Sequence, residues 1–131
     1  MQHNWTNLTL RTTLTILTGV VCATVVIAAS AKYTDGGREA FEKRCTGCHA
    51  LDKVKVGPPL RGVYGRAAGT HPQFTYSDAV KNASVTWDES TLERWLTDTE
   101  SVIPDNDMTF RLNDQAERAK IIAYLKQLSG K

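Results

Sequence analysis

The amino-acid sequence predicts a small all-α domain with long loops, preceded by a separate N-terminal segment. Apolar residues recur at helical spacing, and no stretch alternates apolar with polar residues as a half-buried strand does. Residues 56–77 contain four glycines and three prolines, which is too many for regular secondary structure. A chain of 131 residues has room for one globular domain, and its net charge of +2 is too small to indicate a nucleic-acid partner.

Residues 1–31 are predicted to direct export. Residues 12–31 carry no charged side chain and end in Ala29-Ser30-Ala31, a small-x-small pattern that signal peptidases cleave. This pattern predicts a signal peptide that is removed before Lys32. The apolar stretch is also close to the length of about 20 residues that spans a membrane, so a retained N-terminal anchor is the alternative. In both cases residues 32–131 form an exported domain.

The first predicted helix begins near Asp35, whose side chain can cap it. Gly37, Phe41 and Cys45 follow at a spacing of four residues, which returns them to one face. The helix thus delivers the pair Cys45 and Cys48 to the start of the long loop. A domain of fewer than about 100 residues with such a loop buries little apolar surface by itself, which predicts a large apolar group at its centre.

Two further helices are predicted in the second half of the domain. Thr86 and Glu89 have the Thr-x-x-Glu spacing of a capping box, which predicts the start of a middle helix. Its apolar stripe consists of Leu92, Trp95 and Leu96. Asn113 or Asp114 can begin a last helix that ends before Ser129. The buried face of this helix is predicted to consist of Ile121, Ile122, Leu125 and Leu128.

The segment Cys45-Thr46-Gly47-Cys48-His49 has the Cys-x-x-Cys-His form of a covalent haem attachment site. Two thiols one helical turn apart can form thioethers with the vinyl groups of one porphyrin, and His49 can then bind the iron. A zinc site is a poor alternative, because only His3 and His71 remain as further histidines and the domain has no other cysteine. A thioredoxin-like pair would lie between a strand and a helix, whereas the residues before Cys45 predict a helix.

Met108 is the predicted second axial ligand of the iron. It is the only methionine besides the initiator, and it lies in the polar segment 104–110, where a methionine is unusual. His71 is the rival ligand, and ligation by two histidines would lower the reduction potential. Its position beside Pro72 also fits an ordinary exposed loop residue.

Residues 36–126 resemble the class I c-type cytochromes of the mitochondrial type. The matching strings are Phe41, Cys45 to His49, Gly57-Pro58, Gly62 with Tyr64-Gly65-Arg66, Phe74 to Ala79, Thr86-Trp87, Leu92, Ile103-Pro104, Met108, Phe110, Arg118-Ala119 and Ile122 to Lys126. The resemblance implies a cytochrome c fold around one haem c, with iron cycling between Fe(II) and Fe(III) and no enzymatic activity. It also implies that the Pro58 carbonyl accepts a hydrogen bond from His49.

The resemblance assigns further residues. Arg66, Tyr76 and Trp87 would hold a haem propionate, which offsets the cost of burying that charge. Gly37 and Phe41 would cross the last helix near Ile121 and Tyr124.

The sequence departs from the family pattern around Met108. The usual Pro-Gly-Thr-Lys-Met is replaced by Pro104-Asp105-Asn106-Asp107-Met108, and Glu100 stands at a position of a family lysine. Trp95 and Val80 replace a tyrosine and an asparagine that hydrogen-bond near the methionine in the family. These changes indicate a neutral or mixed docking surface in place of a ring of lysines.

The resemblance implies a monomeric periplasmic electron carrier, either soluble after signal cleavage or tethered to the inner membrane. Its expected partners are redox proteins of a respiratory chain: cytochrome oxidase, the cytochrome bc1 complex or a periplasmic dehydrogenase. Contact with a membrane would run through residues 12–31. Two alternatives are a membrane-anchored haem subunit of an oxidase or reductase and a haem peroxidase, although a peroxidase needs an open iron position that Met108 would close.

Overall fold

The computed structural model describes residues 35–130, and their regular structure is helical. The helices are α1 at residues 35–45, α2 at Asp78–Lys81, α3 at Glu89–Thr97 and α4 at Gln115–Leu128, with a 3₁₀ turn at Thr99–Ser101. The sole β-pairing in this range is an isolated antiparallel bridge between Ala67 and Thr86. The predicted all-α class is confirmed. The export segment 1–31 lies outside the described residues.

Helix α1 lies directly against α4. Gly37 is buried, and a Cβ atom placed on it would lie 2.7 Å from the Lys120 carbonyl oxygen and 3.0 Å from the Tyr124 Cβ. The rings of Phe41 and Tyr124 meet at a centroid distance of 5.4 Å. At the far end of α1, Arg44 donates two hydrogen bonds to the Glu117 carboxylate, at 2.9 and 2.8 Å. This crossing fixes the direction in which α1 presents the cysteine pair.

Helix α3 begins two residues later than the spacing of Thr86 and Glu89 predicts, so that predicted capping box is wrong. Asp88 is the N-cap, and its carboxylate accepts from the Thr91 N–H at 2.8 Å while the Thr91 hydroxyl accepts from the Asp88 N–H at 2.8 Å. Thr86 instead forms the bridge to Ala67, which holds its backbone in an extended conformation before the helix starts. The predicted stripe of Leu92, Trp95 and Leu96 is buried.

Helix α4 has the predicted boundaries. The Asp114 carboxylate accepts from the Glu117 N–H at 3.0 Å, and the helix ends at Leu128 with Ser129 as its C-cap. Ile121, Ile122 and Leu125 are buried as predicted, whereas Leu128 is only partly buried.

A buried arginine joins α4 to α3. Arg118 is 7% exposed; its Nε donates to Glu93 at 2.7 Å and a terminal nitrogen donates to the Leu112 carbonyl at 2.6 Å. A buried guanidinium needs such partners, because an unpaired buried charge is costly. The sequence pattern did not predict this link.

The core lies between α1, α3, α4 and the long loop. Its largest pair is Trp87 and Trp95, with ring centroids 5.0 Å apart. The buried apolar residues are Ala40, Phe41, Val63, Ala68, Trp87, Leu92, Trp95, Leu96, Ile103, Leu112, Ile121, Ile122 and Leu125. Cys45, Leu60 and Met108 pack against this cluster while remaining partly exposed. None of the helices within residues 35–130 is long and apolar enough to cross a membrane.

Candidate functional site

The cysteine pair lies at the end of α1 and in the turn that follows. The Cys45 carbonyl accepts from the Cys48 and His49 N–H groups, at 3.2 and 2.9 Å, which turns the chain sharply around residues 46–48. Cys45 is partly buried and Cys48 is exposed, and the two thiols do not form a disulfide. Because of this turn the two sulfurs and the imidazole belong to one compact feature.

Burial raises the pKa of the Cys45 thiol to about 12, and the negative charge of Glu117 adds to the effect. Cys45 is the last residue of α1, whereas a thioredoxin-like pair lies between a strand and a helix. The structure therefore disfavours the redox-pair alternative.

The His49 imidazole is buried and its tautomer is fixed. His49 as a whole is 8% exposed, and its Nδ1 lies 2.8 Å from the Pro58 carbonyl oxygen. A carbonyl can only accept, so Nδ1 carries the proton and donates, which leaves the Nε2 lone pair free to bind a metal. Burial lowers the pKa of His49, while the Pro58 bond acts in the opposite direction. At neutral pH the imidazole is therefore neutral, with Nε2 available to bind a metal.

The loop after His49 holds Pro58 in place. The Gly57 N–H donates to the Cys48 carbonyl at 2.9 Å, and the Leu60 N–H donates to the Ala50 carbonyl at 3.0 Å. A Cβ atom on Gly57 would lie 2.7 Å from Nδ1 and 2.9 Å from Nε2 of His49. The imidazole therefore packs against the bare backbone of residue 57, and only glycine leaves room for it.

Met108 is held by two backbone hydrogen bonds. Its N–H donates to Asn106 Oδ1 at 2.9 Å, and its carbonyl accepts from the hydroxyl of buried Thr99 at 2.6 Å. The side chain is partly buried and packs against the same core cluster as Cys45. Neither Asn106 nor Thr99 was predicted from the sequence as a support of Met108. Asn106 could have been found, because an Asn side chain commonly accepts a hydrogen bond from the backbone N–H two residues further on.

Arg66 and Trp87 are brought side by side by the backbone. The Trp87 N–H donates to the Arg66 carbonyl at 3.0 Å, and the Gly65 N–H donates to the Trp87 carbonyl at 2.7 Å. The Arg66 guanidinium is partly buried and donates to the carbonyls of Pro59 and Arg61, at 3.3 and 3.5 Å. Among the residues that the structure describes, no carboxylate pairs with it. It is a half-buried cation able to receive an anion.

Tyr76 and Ser77 lie in the same region of the chain. Burial raises the pKa of Tyr76, with the charge of Arg66 acting in the opposite direction, so the phenol is a neutral donor beside a cation. The Ser77 hydroxyl is buried and has no hydrogen-bond partner within residues 35–130. A buried hydroxyl without a partner is uncommon and indicates a missing polar group. No motif in the sequence marks Ser77 as a site residue.

These residues fit a covalently bound haem. Two unpaired cysteines stand beside a buried imidazole with a free nitrogen, a methionine lies on the same core, and the orphaned Ser77 hydroxyl is consistent with an absent polar partner. His71, the rival ligand, accepts from the Gln73 N–H at 3.3 Å. Within residues 35–130, no group of three His, Cys, Asp or Glu side chains could hold a metal ion.

A small helical domain with this motif and this imidazole defines a single-haem protein of the c type. The family model for cytochrome c matches residues 35–129. Cytochrome c of Chlamydomonas reinhardtii is 45% identical over 98 residues, covering 72% of this chain and 88% of the relative. Cytochrome c2 of Blastochloris viridis is 38% identical over 114 residues, covering 84% of this chain and 89% of the relative.

A solved structure agrees with these relatives. Cytochrome cH from Methylobacterium extorquens superposes with a TM-score of 0.68 at 38% identity, covering 72% of this chain and 97% of that one. The chain belongs to the cytochrome c family. It is accordingly a single-haem electron carrier that binds haem c through Cys45 and Cys48 and works with redox partners. Members of this family are electron-transfer proteins, so a peroxidase is excluded as the class of this protein.

Proposed function

We propose that the chain is an exported electron shuttle in which His49 and Met108 are the axial ligands of the haem iron. The observation that carries this proposal is the bond from His49 Nδ1 to the Pro58 carbonyl at 2.8 Å, which leaves Nε2 as the free nitrogen of a buried neutral imidazole. Such a bond also makes the imidazole a stronger ligand. When bound, the haem supplies a one-electron Fe(II)/Fe(III) couple.

The hydrogen bonds and packing around Met108 are proposed to keep the site rigid and to limit its contact with water. Two hydrogen bonds fix the Met108 backbone, and Leu60, Met108 and Phe110 all pack against the core cluster. A site that does not rearrange between two charge states loses little energy to reorganisation, which is what outer-sphere transfer needs. A thioether ligand raises the reduction potential relative to a second histidine.

Arg66, Tyr76 and Trp87 are proposed to hold a haem propionate. Arg66 is a half-buried cation whose guanidinium donates to backbone carbonyls and not to a carboxylate within residues 35–130, and Tyr76 is a neutral phenol near it. Trp87 is 9% exposed and is aligned with Arg66 by the backbone pairing. The buried Ser77 hydroxyl, which has no hydrogen-bond partner within residues 35–130, is proposed as a fourth donor. A carboxylate surrounded in this way can stay ionised in a poorly solvated site.

Met108→Ala tests the axial assignment. We expect the ferric wild type to show a weak near-infrared band at about 700 nm from thioether ligation, and we expect this band to vanish in the variant. The potential of the variant should also fall, because the soft sulfur ligand is lost. Oxidised and reduced spectra, a pyridine haemochrome assay for covalent haem and a redox titration measure these quantities. Persistence of the band in Met108→Ala would refute the assignment.

The partner surface is proposed to carry charges of both signs. Lys53 and Lys55 are exposed on the loop after the cysteine pair, whereas Glu100 and Asp107 are exposed around Met108. We therefore expect electron exchange with cytochrome oxidase, the bc1 complex or a periplasmic dehydrogenase to slow only mildly as salt is raised. Stopped-flow rates over an ionic-strength series measure this. A steep fall would indicate that one sign of charge dominates docking.

Export to the periplasm is proposed from residues 12–31, whose uncharged apolar stretch ends in a cleavable pattern. If the segment is retained, the domain would be tethered to the inner membrane, as in a haem subunit of an oxidase or reductase. Mass spectrometry of the purified protein separates the two cases. A mature N-terminus at Lys32 in the soluble fraction supports the shuttle, and an intact segment in the membrane fraction supports the tethered subunit.

A further inference from the structure

The short turn before the Met108 segment binds that segment at several points. Asp98 caps the 3₁₀ turn Thr99–Ser101, its carboxylate accepting from the Glu100 N–H at 3.2 Å. Arg111, three positions after Met108, forms a salt bridge to the other oxygen of Asp98 at 2.9 Å. The Thr99 hydroxyl donates to the Met108 carbonyl. The turn therefore contacts the chain at Met108 and beyond it.

The Glu100 side chain contacts the part of the segment that precedes Met108. Its Oε1 accepts from the Asp105 N–H at 2.9 Å, and its Oε2 accepts from Asn106 Nδ2 at 3.2 Å. Asp105 has a φ of 60°, in the left-handed region that residues other than glycine adopt at a cost. Asn106 is also bonded through Nδ2 to the Ile103 carbonyl and through Oδ1 to the Met108 N–H.

We infer that Glu100 is a positioning residue for Met108. Its two oxygens stabilise the left-handed turn at Asp105 and orient the Asn106 amide, which in turn fixes the Met108 backbone. Glu100 and Asp105 both depart from the family pattern of a lysine and a glycine, and in this structure the two departures are bonded to each other. The inference rests on the proposed ligation by Met108, since only a ligand would reveal loosening of this segment at the iron.

Imidazole binding to the ferric, haem-loaded protein tests the inference. Imidazole competes with the thioether for iron, so its apparent affinity reports how easily the Met108 segment opens. We expect Glu100→Ala to raise that affinity about fivefold, because two hydrogen bonds to an exposed carboxylate are lost. Glu100→Gln keeps one oxygen acceptor and should fall between Glu100→Ala and the wild type. Loss of the band at about 700 nm is the readout.

Glu39→Ala is the matched control, because it removes the same charge from an exposed position of α1. Wild-type affinity in Glu39→Ala together with increased affinity in Glu100→Ala supports the inference. Equal affinity in Glu100→Ala and the wild type overturns it and leaves the ligation by Met108 intact. An equal increase in both alanine variants also overturns it, since the effect would then be one of net charge. A wild type without the band overturns the ligation and this inference together.

Discussion

Replacing Gly37 with alanine is expected to lower the free energy of unfolding by about 3 kcal/mol, the upper part of the range for overpacking a tight contact. The added Cβ would lie 2.7 Å from the Lys120 carbonyl oxygen and 3.0 Å from the Tyr124 Cβ. Neither atom is the flexible end of a side chain, so α1 and α4 must separate to admit it. The same separation would disturb the contact of Phe41 with Tyr124.

Gly36→Ala is the matched control, since it makes the same change one residue earlier in α1. Among the described residues beyond the neighbouring positions of α1, the nearest atom to a Cβ on Gly36 is the Lys120 Cδ at 3.9 Å, which is an ordinary contact with a flexible chain. Alanine has the higher helix propensity, so this variant should be stabilised by about 0.5 kcal/mol. Urea unfolding of both haem-loaded variants followed by far-UV circular dichroism measures the difference. Similar stability of the two variants would contradict the close approach of the helices.

The helices that bury a regular apolar stripe were predictable from sequence. Helix α4 begins and ends as predicted, because Asp114 supplies a local cap and Ser129 follows the last buried turn. The start of α3 was not predictable in the same way, because Thr86 and Asp88 are both residues that can cap a helix and lie only two positions apart. The choice between them depends on the bridge from Thr86 to Ala67, a contact across the long loop that no local spacing reveals. Helix α2 has only four residues and no buried side chain, so no stripe marks it.

In the candidate site too, local relations between residues were predictable from the sequence and long-range relations were not. Cys45, Cys48 and His49 are contiguous, so their relation could be read directly from the motif. The proximity of Arg66 and Trp87 depends on backbone hydrogen bonds between distant segments. From the sequence, only the family resemblance implied that these two residues act together.

Asn106 carried a local signal, since it stands two positions before Met108, but the other supports of Met108 were not predictable from the sequence. Thr99 and Glu100 bond mainly to backbone groups of a polar turn, and such bonds leave no pattern of residue types in the sequence. The sequence shows that Glu100 and Asp105 depart from the family pattern. It does not show that the two residues are hydrogen-bonded to each other.

Gly57→Ala is expected to displace the His49 imidazole and to break its hydrogen bond to the Pro58 carbonyl. The added Cβ would lie 2.7 Å from Nδ1 and 2.9 Å from Nε2, and the φ of Gly57 is not in the left-handed region, so the constraint is steric. We expect a loss of about 3 kcal/mol in the free energy of unfolding, from overpacking together with the broken hydrogen bond. We also expect a higher reduction potential, because an imidazole that no longer donates from Nδ1 is a weaker electron donor to iron.

Gly47→Ala separates this effect from a general sensitivity of the haem-binding motif. Within residues 35–130, and apart from residues 46–48 themselves, no heavy atom lies within 4 Å of a Cβ placed on Gly47, and its φ is also outside the left-handed region. This variant should keep wild-type stability and potential, whereas Gly57→Ala should change both. Chemical unfolding and a redox titration of the three proteins decide the matter. A normal potential in Gly57→Ala would mean that the imidazole keeps its Pro58 bond, and the glycine would then be dispensable to the ligand's orientation.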